Sequence, residues 1–140
     1  MDLAQILASA KTIAVYGMSR DESKTAHIIP VYMRSFGYQI IPINPVATEI
    51  AGLKVYATLA AVEEKIDILD IFRPSAEAVE IVQQAIERHQ QRGDIKVIWL
   101  QEGIVSEVAK KMAEQAGITF IQDTCIYKAY LKSGLNQQVD

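Results

Sequence analysis

Five short apolar runs, rich in Ile, Val, Tyr and Phe and each broken off by turn residues, constrain the fold more than any other feature of this chain. They cover roughly residues 12–17, 38–44, 66–72, 95–100 and 118–122. Strands that are apolar on both faces have to be covered on both faces. The segments between them carry the helical period. Residues 76–91 place Val79, Val82 and Ile86 at spacings of three and four, with Ser75 after Pro74 as the N-cap and Gly93 beyond the end. Residues 106–116 put Val108, Met112 and Ala116 on one face, capped by Ser106 and stopped by Gly117. Strands alternating with amphipathic helices predict an α/β fold: a doubly wound, five-stranded parallel sheet in three α/β/α layers.

Two segments fit less smoothly. Residues 25–36 should form the first crossover helix, yet Pro30 lies inside them and removes an amide; a kink is expected, or a late start with Pro30 in the first turn. Residues 45–62 are too long for a minimal connection, and residues 52–56 read as a small extended piece before a short helix capped by Thr58.

At 140 residues the chain is expected to be one domain, 1–140, without a linker. Lys and Arg total 14 against 17 Asp and Glu, and they are scattered, so no basic stripe is available for nucleic acid. No apolar run reaches a membrane span, and an acid stands near the N-terminus where a signal peptide would be basic. The expectation is a cytoplasmic protein, with a homo-oligomer left open. One cysteine, Cys125, and two histidines predict neither a disulfide nor a metal site.

Ligands of open α/β sheets bind beyond the carboxyl ends of the strands. There the chain carries Gly17-Met18-Ser19-Arg20, Asn44-Pro45, Arg73-Pro74, Gln101-Glu102-Gly103 and Asp123-Thr124-Cys125. The first loop, residues 19–25, is polar and leads to a helix N-terminus, where hydroxyls, Arg20, Lys24 and free amides suit a phosphate. A solvated loop in which Ser23 or Thr25 merely caps the helix is the plainer alternative. The dinucleotide pattern G-x-G-x-x-G is absent, and Asn44 stands where an NAD site usually has an acid. Both count against an NAD(P)-linked oxidoreductase or redox sensor.

The succession IAVYGMS…KTAHII, YQIIPINP, GLKVYATL, DILDIFRP, VIWLQEGIV and a last strand followed by DTC resembles the small bacterial CoA-binding domain proteins. These are single-domain relatives of the CoA-binding domain in the alpha subunit of succinyl-CoA synthetase. The resemblance spans residues 11–128 and rests on five strand-end motifs agreeing in order and spacing. It implies a Rossmann-like domain that binds coenzyme A. By position, Gly17-Met18-Ser19 is similar to the family's phosphate loop, with Lys24, close to the helix start, as its phosphate partner and Arg20 and Thr25 in the same loop. Asn44-Pro45 and Phe72-Arg73 would line the nucleotide and pantetheine path, and Gln101-Glu102-Gly103 would close the site. The phosphorylated histidine of the synthetases lies in a further domain that this chain is too short to contain. No nucleophile and base stand at a readable spacing, so binding without catalysis is expected. A module that kept the fold and lost the ligand is the remaining alternative.

The other polar residues have plain expectations. His27 and His89 read as solvated or partly packed and Trp99 as core; Cys125 reads as a small buried hydrophobe, with a place near the thiol arm of a bound coenzyme, where a mixed disulfide could form, as the alternative. Asp67 reads as a strand-start residue and Asp70 as a hydrogen-bonded insertion in the sheet. Glu102 is the acid to suspect first if chemistry exists. Lys128, Tyr130 and Lys132 would reach a phosphate, form a subunit contact or fray.

Overall fold

The computed structural model describes residues 2–137. Its main sheet has five parallel strands in the order β2-β1-β5-β6-β7: β1 Thr12–Tyr16, β2 Gln39–Ile43, β5 Ile68–Ile71, β6 Val97–Leu100 and β7 Thr119–Ile121. Each expected strand is present, shorter by one to three residues. The trimming at residue 95 has a cause. Ile95 is in the left-handed region (φ 56°), so the chain turns there before the strand begins at Val97. A β-branched residue is strained in that conformation; complete burial of the Ile95 side chain in the core offsets the cost.

Among the described residues, five α-helices cover the sheet. Helices α1 (Leu3–Ser9), α2 (Thr25–Ser35) and α5 (Ile126–Ser133) pack on one face against Ile13, Val15, Ile40, Ile68 and Trp99. Helices α3 (Ala78–Arg92) and α4 (Glu107–Gln115) pack on the other against Ala14, Ile41, Leu69, Ile98 and Leu100. Neighbouring strand residues thus enter different cores, as the pleat requires. The fold is the Rossmann-like α/β arrangement.

Several local expectations need correction. Helix α2 runs from Thr25 through Pro30 without a break, and its N-cap is Lys24, which makes no side-chain cap bond. Ser75 does not cap α3: it opens a 3-10 turn, Ser75–Glu77, and its hydroxyl accepts instead from the Val105 amide at 3.0 Å. Val79 and Val108 are solvent-exposed. The buried stripes are Ala78, Ile81, Val82, Ala85 and Ile86 on α3, and Ala109 and Ala113 on α4. Ser106 does cap α4, accepting from the Ala109 amide at 3.1 Å, and Gly93 ends α3 in the left-handed conformation.

The long second connection holds a two-residue hairpin, β3 (Glu49–Ile50) with β4 (Leu53–Lys54), turned by Ala51 and Gly52 at positive φ. No helix follows it; Thr58 Oγ1 accepts from the Ala61 amide in a turn only. This irregular stretch hangs on α3. Buried Arg88 donates to the carbonyls of Leu59, Val62 and Glu64 at 2.9 to 3.0 Å and pairs with buried Asp94 at 3.0 Å. Asp94 Oδ2 in turn accepts from the Ile66 amide. The backbone groups that a helix would have satisfied internally are met mainly by this guanidinium, and Arg92 Nη1 adds a 2.8 Å bond to the Val62 carbonyl.

Candidate functional site

The chain leaves β1 toward β2 on one side of the sheet, then returns to β5 on the other side and continues outward. The carboxyl ends of β1 and β5 therefore diverge into a crevice, the place where an open α/β sheet takes ligands. Here the crevice is a cleft of two lobes that share Ala26, Phe72 and Arg73.

The polar lobe, about 470 Å³, is lined by Gly17, Met18, Ser19, Lys24, Asn44, Pro45 and Glu77, among others. Gly17 carries a positive φ of 90°, and a Cβ there would lie 2.7 Å from Arg73 Cδ and 3.0 Å from the Phe72 carbonyl oxygen. Only glycine allows the first loop to pass this close to the β5 end. Asn44 ties two strand ends together. Its Oδ1 accepts from the Val46 and Ala47 amides at 2.8 and 3.0 Å, and its Nδ2 donates to the Met18 carbonyl at 3.0 Å. The Met18 side chain is wholly buried in the core.

Arg73 is already engaged. It forms a bidentate pair with Glu77, Nε to Oε1 at 3.1 Å and Nη2 to Oε2 at 2.8 Å, while both side chains stay nearly half exposed. The Arg73 hydrogen bond holds the Glu77 carboxyl below the usual range, and Glu77 raises the Arg73 guanidinium correspondingly. Lys24 is exposed at the mouth of the same lobe.

The second lobe, about 320 Å³, is more apolar. Thr25, Ile29, Phe72, Ile104 and Cys125 line it together with Gln101 and Glu102. Beneath it lies Asp70, buried in β5 with its Oδ1 taking a 2.6 Å bond from Gln101 Nε2. Burial pushes the Asp70 carboxyl up to about 7, and the Gln101 bond opposes that rise. Gln101 Oε1 accepts from the Ile126 amide, which joins Asp70 to the start of α5.

Of the thirteen residues singled out from the sequence, eleven line one lobe or the other. Arg20 and Gly103 line neither: Arg20 is exposed outside the cleft, and the Gly103 amide donates to Asp123 Oδ1 at 2.7 Å. Glu102 faces solvent and pairs with Lys128 at 3.2 Å. Cys125 is buried as expected, yet it also borders the apolar lobe.

His27 corrects its expectation. It is 8% exposed, and its Nδ1 lies 2.7 Å from the Ser19 carbonyl oxygen. His89 is partly packed, as read. Glu77 was missed, although its position four residues after Arg73 is the spacing at which opposite charges meet on one turn.

A two-lobed crevice at the switch point of a 2-1-3-4-5-type parallel sheet, with one polar and one apolar lobe, marks the chain as a Rossmann-like domain with a candidate ligand cleft. Residues 11–130 match the family model of the CoA binding domain. The chain belongs to that family. It is 35% identical over 129 residues to YneT of Bacillus subtilis (strain 168), covering 92% of each chain. A Thermus thermophilus protein of known structure superposes with a TM-score of 0.87 at 32% identity, over 95% of this chain and 99% of that one. The ADP-forming acetate–CoA ligase of Methanocaldococcus jannaschii is 29% identical over 124 residues, 83% of this chain but 17% of the ligase.

Proposed function

We propose that this protein binds coenzyme A or an acyl-CoA in the two-lobed cleft and does so without catalysing a reaction itself. The observation that carries the reading is the pairing of a polar lobe with an apolar one across the shared Phe72 and Arg73. Coenzyme A has the same division, a multiply charged nucleotide joined to a long, mostly uncharged arm. In this reading Lys24 and Arg73 meet phosphate charge, helped by the first amides of α2. Gly17, Met18 and Ser19 form the wall, and Asn44 with Pro45 lines the nucleoside side. The arm runs past Phe72 toward Thr25, Gln101 and Glu102. Membership of the CoA binding domain family supports this choice of ligand over a nicotinamide dinucleotide.

Calorimetric titration with coenzyme A, acetyl-CoA, NAD, NADP and ATP tests it. Selective binding of coenzyme A or its thioester is the expected result, and Lys24→Ala should weaken it by about 1 to 3 kcal/mol. Preference for a nicotinamide dinucleotide, or no binding at all, overturns the reading.

A further inference from the structure

Pro30 stands inside α2, where a proline removes the amide that would bond the carbonyl four residues earlier and pushes its ring against that carbonyl. The residue concerned is Ala26, on the wall of both lobes. Its carbonyl does not go unused: the Ser19 amide donates to it at 3.1 Å. The other backbone group of Ser19 is also fastened to α2. His27 Nδ1 lies 2.7 Å from the Ser19 carbonyl, and because a carbonyl only accepts, Nδ1 carries the proton. The remainder of the loop closes on itself. Asp21 donates its amide to Ser19 Oγ, and Asp21 Oδ1 accepts from the amide and hydroxyl of Ser23.

We propose that Pro30 is a positioning residue for the ligand site. By emptying the Ala26 carbonyl it supplies the acceptor that fixes Ser19, and with His27 it sets residues 17–24 in their binding shape before a ligand arrives. An ordered loop spares the complex the entropy of ordering it later. The Ser19 amide is spent inside the protein, so the loop meets the ligand through other groups. The ligand part of this proposal rests on the coenzyme A reading; the fastening of the loop does not.

Pro30→Ala in the full chain is the test. Alanine returns the missing amide and lets the Ala26 carbonyl turn back along the helix, at the expense of Ser19. The Ser19 amide should exchange with solvent about tenfold faster, and coenzyme A should bind about three- to tenfold more weakly. Thermal stability should hold or rise, because alanine is the better helix former. A merely structural proline would lower stability and affinity together, and that outcome overturns the proposal. So does unchanged Ser19 exchange, or faster exchange with unaltered affinity. His27→Leu should weaken binding similarly, and His27→Asn, whose side-chain amide can donate from near the Nδ1 position, should restore it; failure to restore removes His27 from the device. If the unmodified protein does not bind coenzyme A, the ligand reading fails by itself, and Ser19 exchange still decides whether Pro30 fixes the loop.

Discussion

A methyl group on Gly17 would stand 2.7 Å from Cδ of Arg73, so the first loop and the cation at the end of β5 are held at a separation only glycine permits. Gly17→Ala has two costs, the positive φ of 90° and the contact with Arg73 and the Phe72 carbonyl. Together they should destabilise the protein by about 1 to 3 kcal/mol and abolish coenzyme binding at concentrations that saturate the unmodified chain. Denaturant unfolding and calorimetric titration of the same sample check both.

Glu77 competes with any phosphate for Arg73, because the carboxylate occupies both prongs of the guanidinium. Glu77→Gln should tighten coenzyme A binding several-fold and steepen its salt dependence, as one opposing charge leaves the lobe. The pair is exposed, so the melting temperature should hardly move. Titrations at low and high salt distinguish this from a variant in which Glu77 only orders the turn, which would weaken binding.

Asp70 makes stability depend on pH in a predictable direction. Burial raises its folded-state value from 3.8 to about 7, so the folded protein prefers the neutral acid. The stability this group contributes is complete below about pH 4 and is lost as pH rises to about 7. Asp70→Asn should therefore gain on the parent with rising pH, with little difference near pH 4 and the largest above pH 7, by a few kcal/mol at most. Thermal melts across pH 4 to 8 measure the divergence; parallel curves would mean that Asp70 stays ionised throughout.

Arg88 carries the crossover that has no helix. Arg88→Ala removes the charge partner of buried Asp94 and the donor to the Leu59 and Glu64 carbonyls, while the Val62 carbonyl keeps its bond from Arg92, and removing one partner of a buried pair typically costs about 3 to 5 kcal/mol. Equilibrium unfolding should show that loss, and limited proteolysis should cut first between residues 55 and 67.

The strands were legible because parallel strands buried on both faces must be apolar throughout, and chain order plus sheet chemistry then brought five strand ends to one edge. The capping of α4 by Ser106 and the stop at Gly93 were legible for the same local reason: they satisfy groups within one turn. What sequence reading missed depends on partners distant in the chain. Ser75 has the chemistry of a cap, yet Val105, 30 residues away, takes its hydroxyl. Val79 and Val108 fit the helical period but lie on the rim of their stripes, where alanines make the closer contact with the sheet. His27 was read as a surface group because nothing local announces the Ser19 carbonyl that it meets. Lys24 was legible as the phosphate cation from its place at the helix start, whereas nothing local separates Arg20 from the cleft. The turn built on Asp21 leaves Lys24 at the cleft and Arg20 outside it.

Trp99, the chain's single tryptophan, is fully buried in β6, and its indole donates to the carbonyl of Thr124 at 2.8 Å, one residue before Cys125 at the edge of the apolar lobe. The protein thus contains its own optical reporter. Its fluorescence can follow the β7–α5 turn during a ligand titration with no label attached and no residue changed.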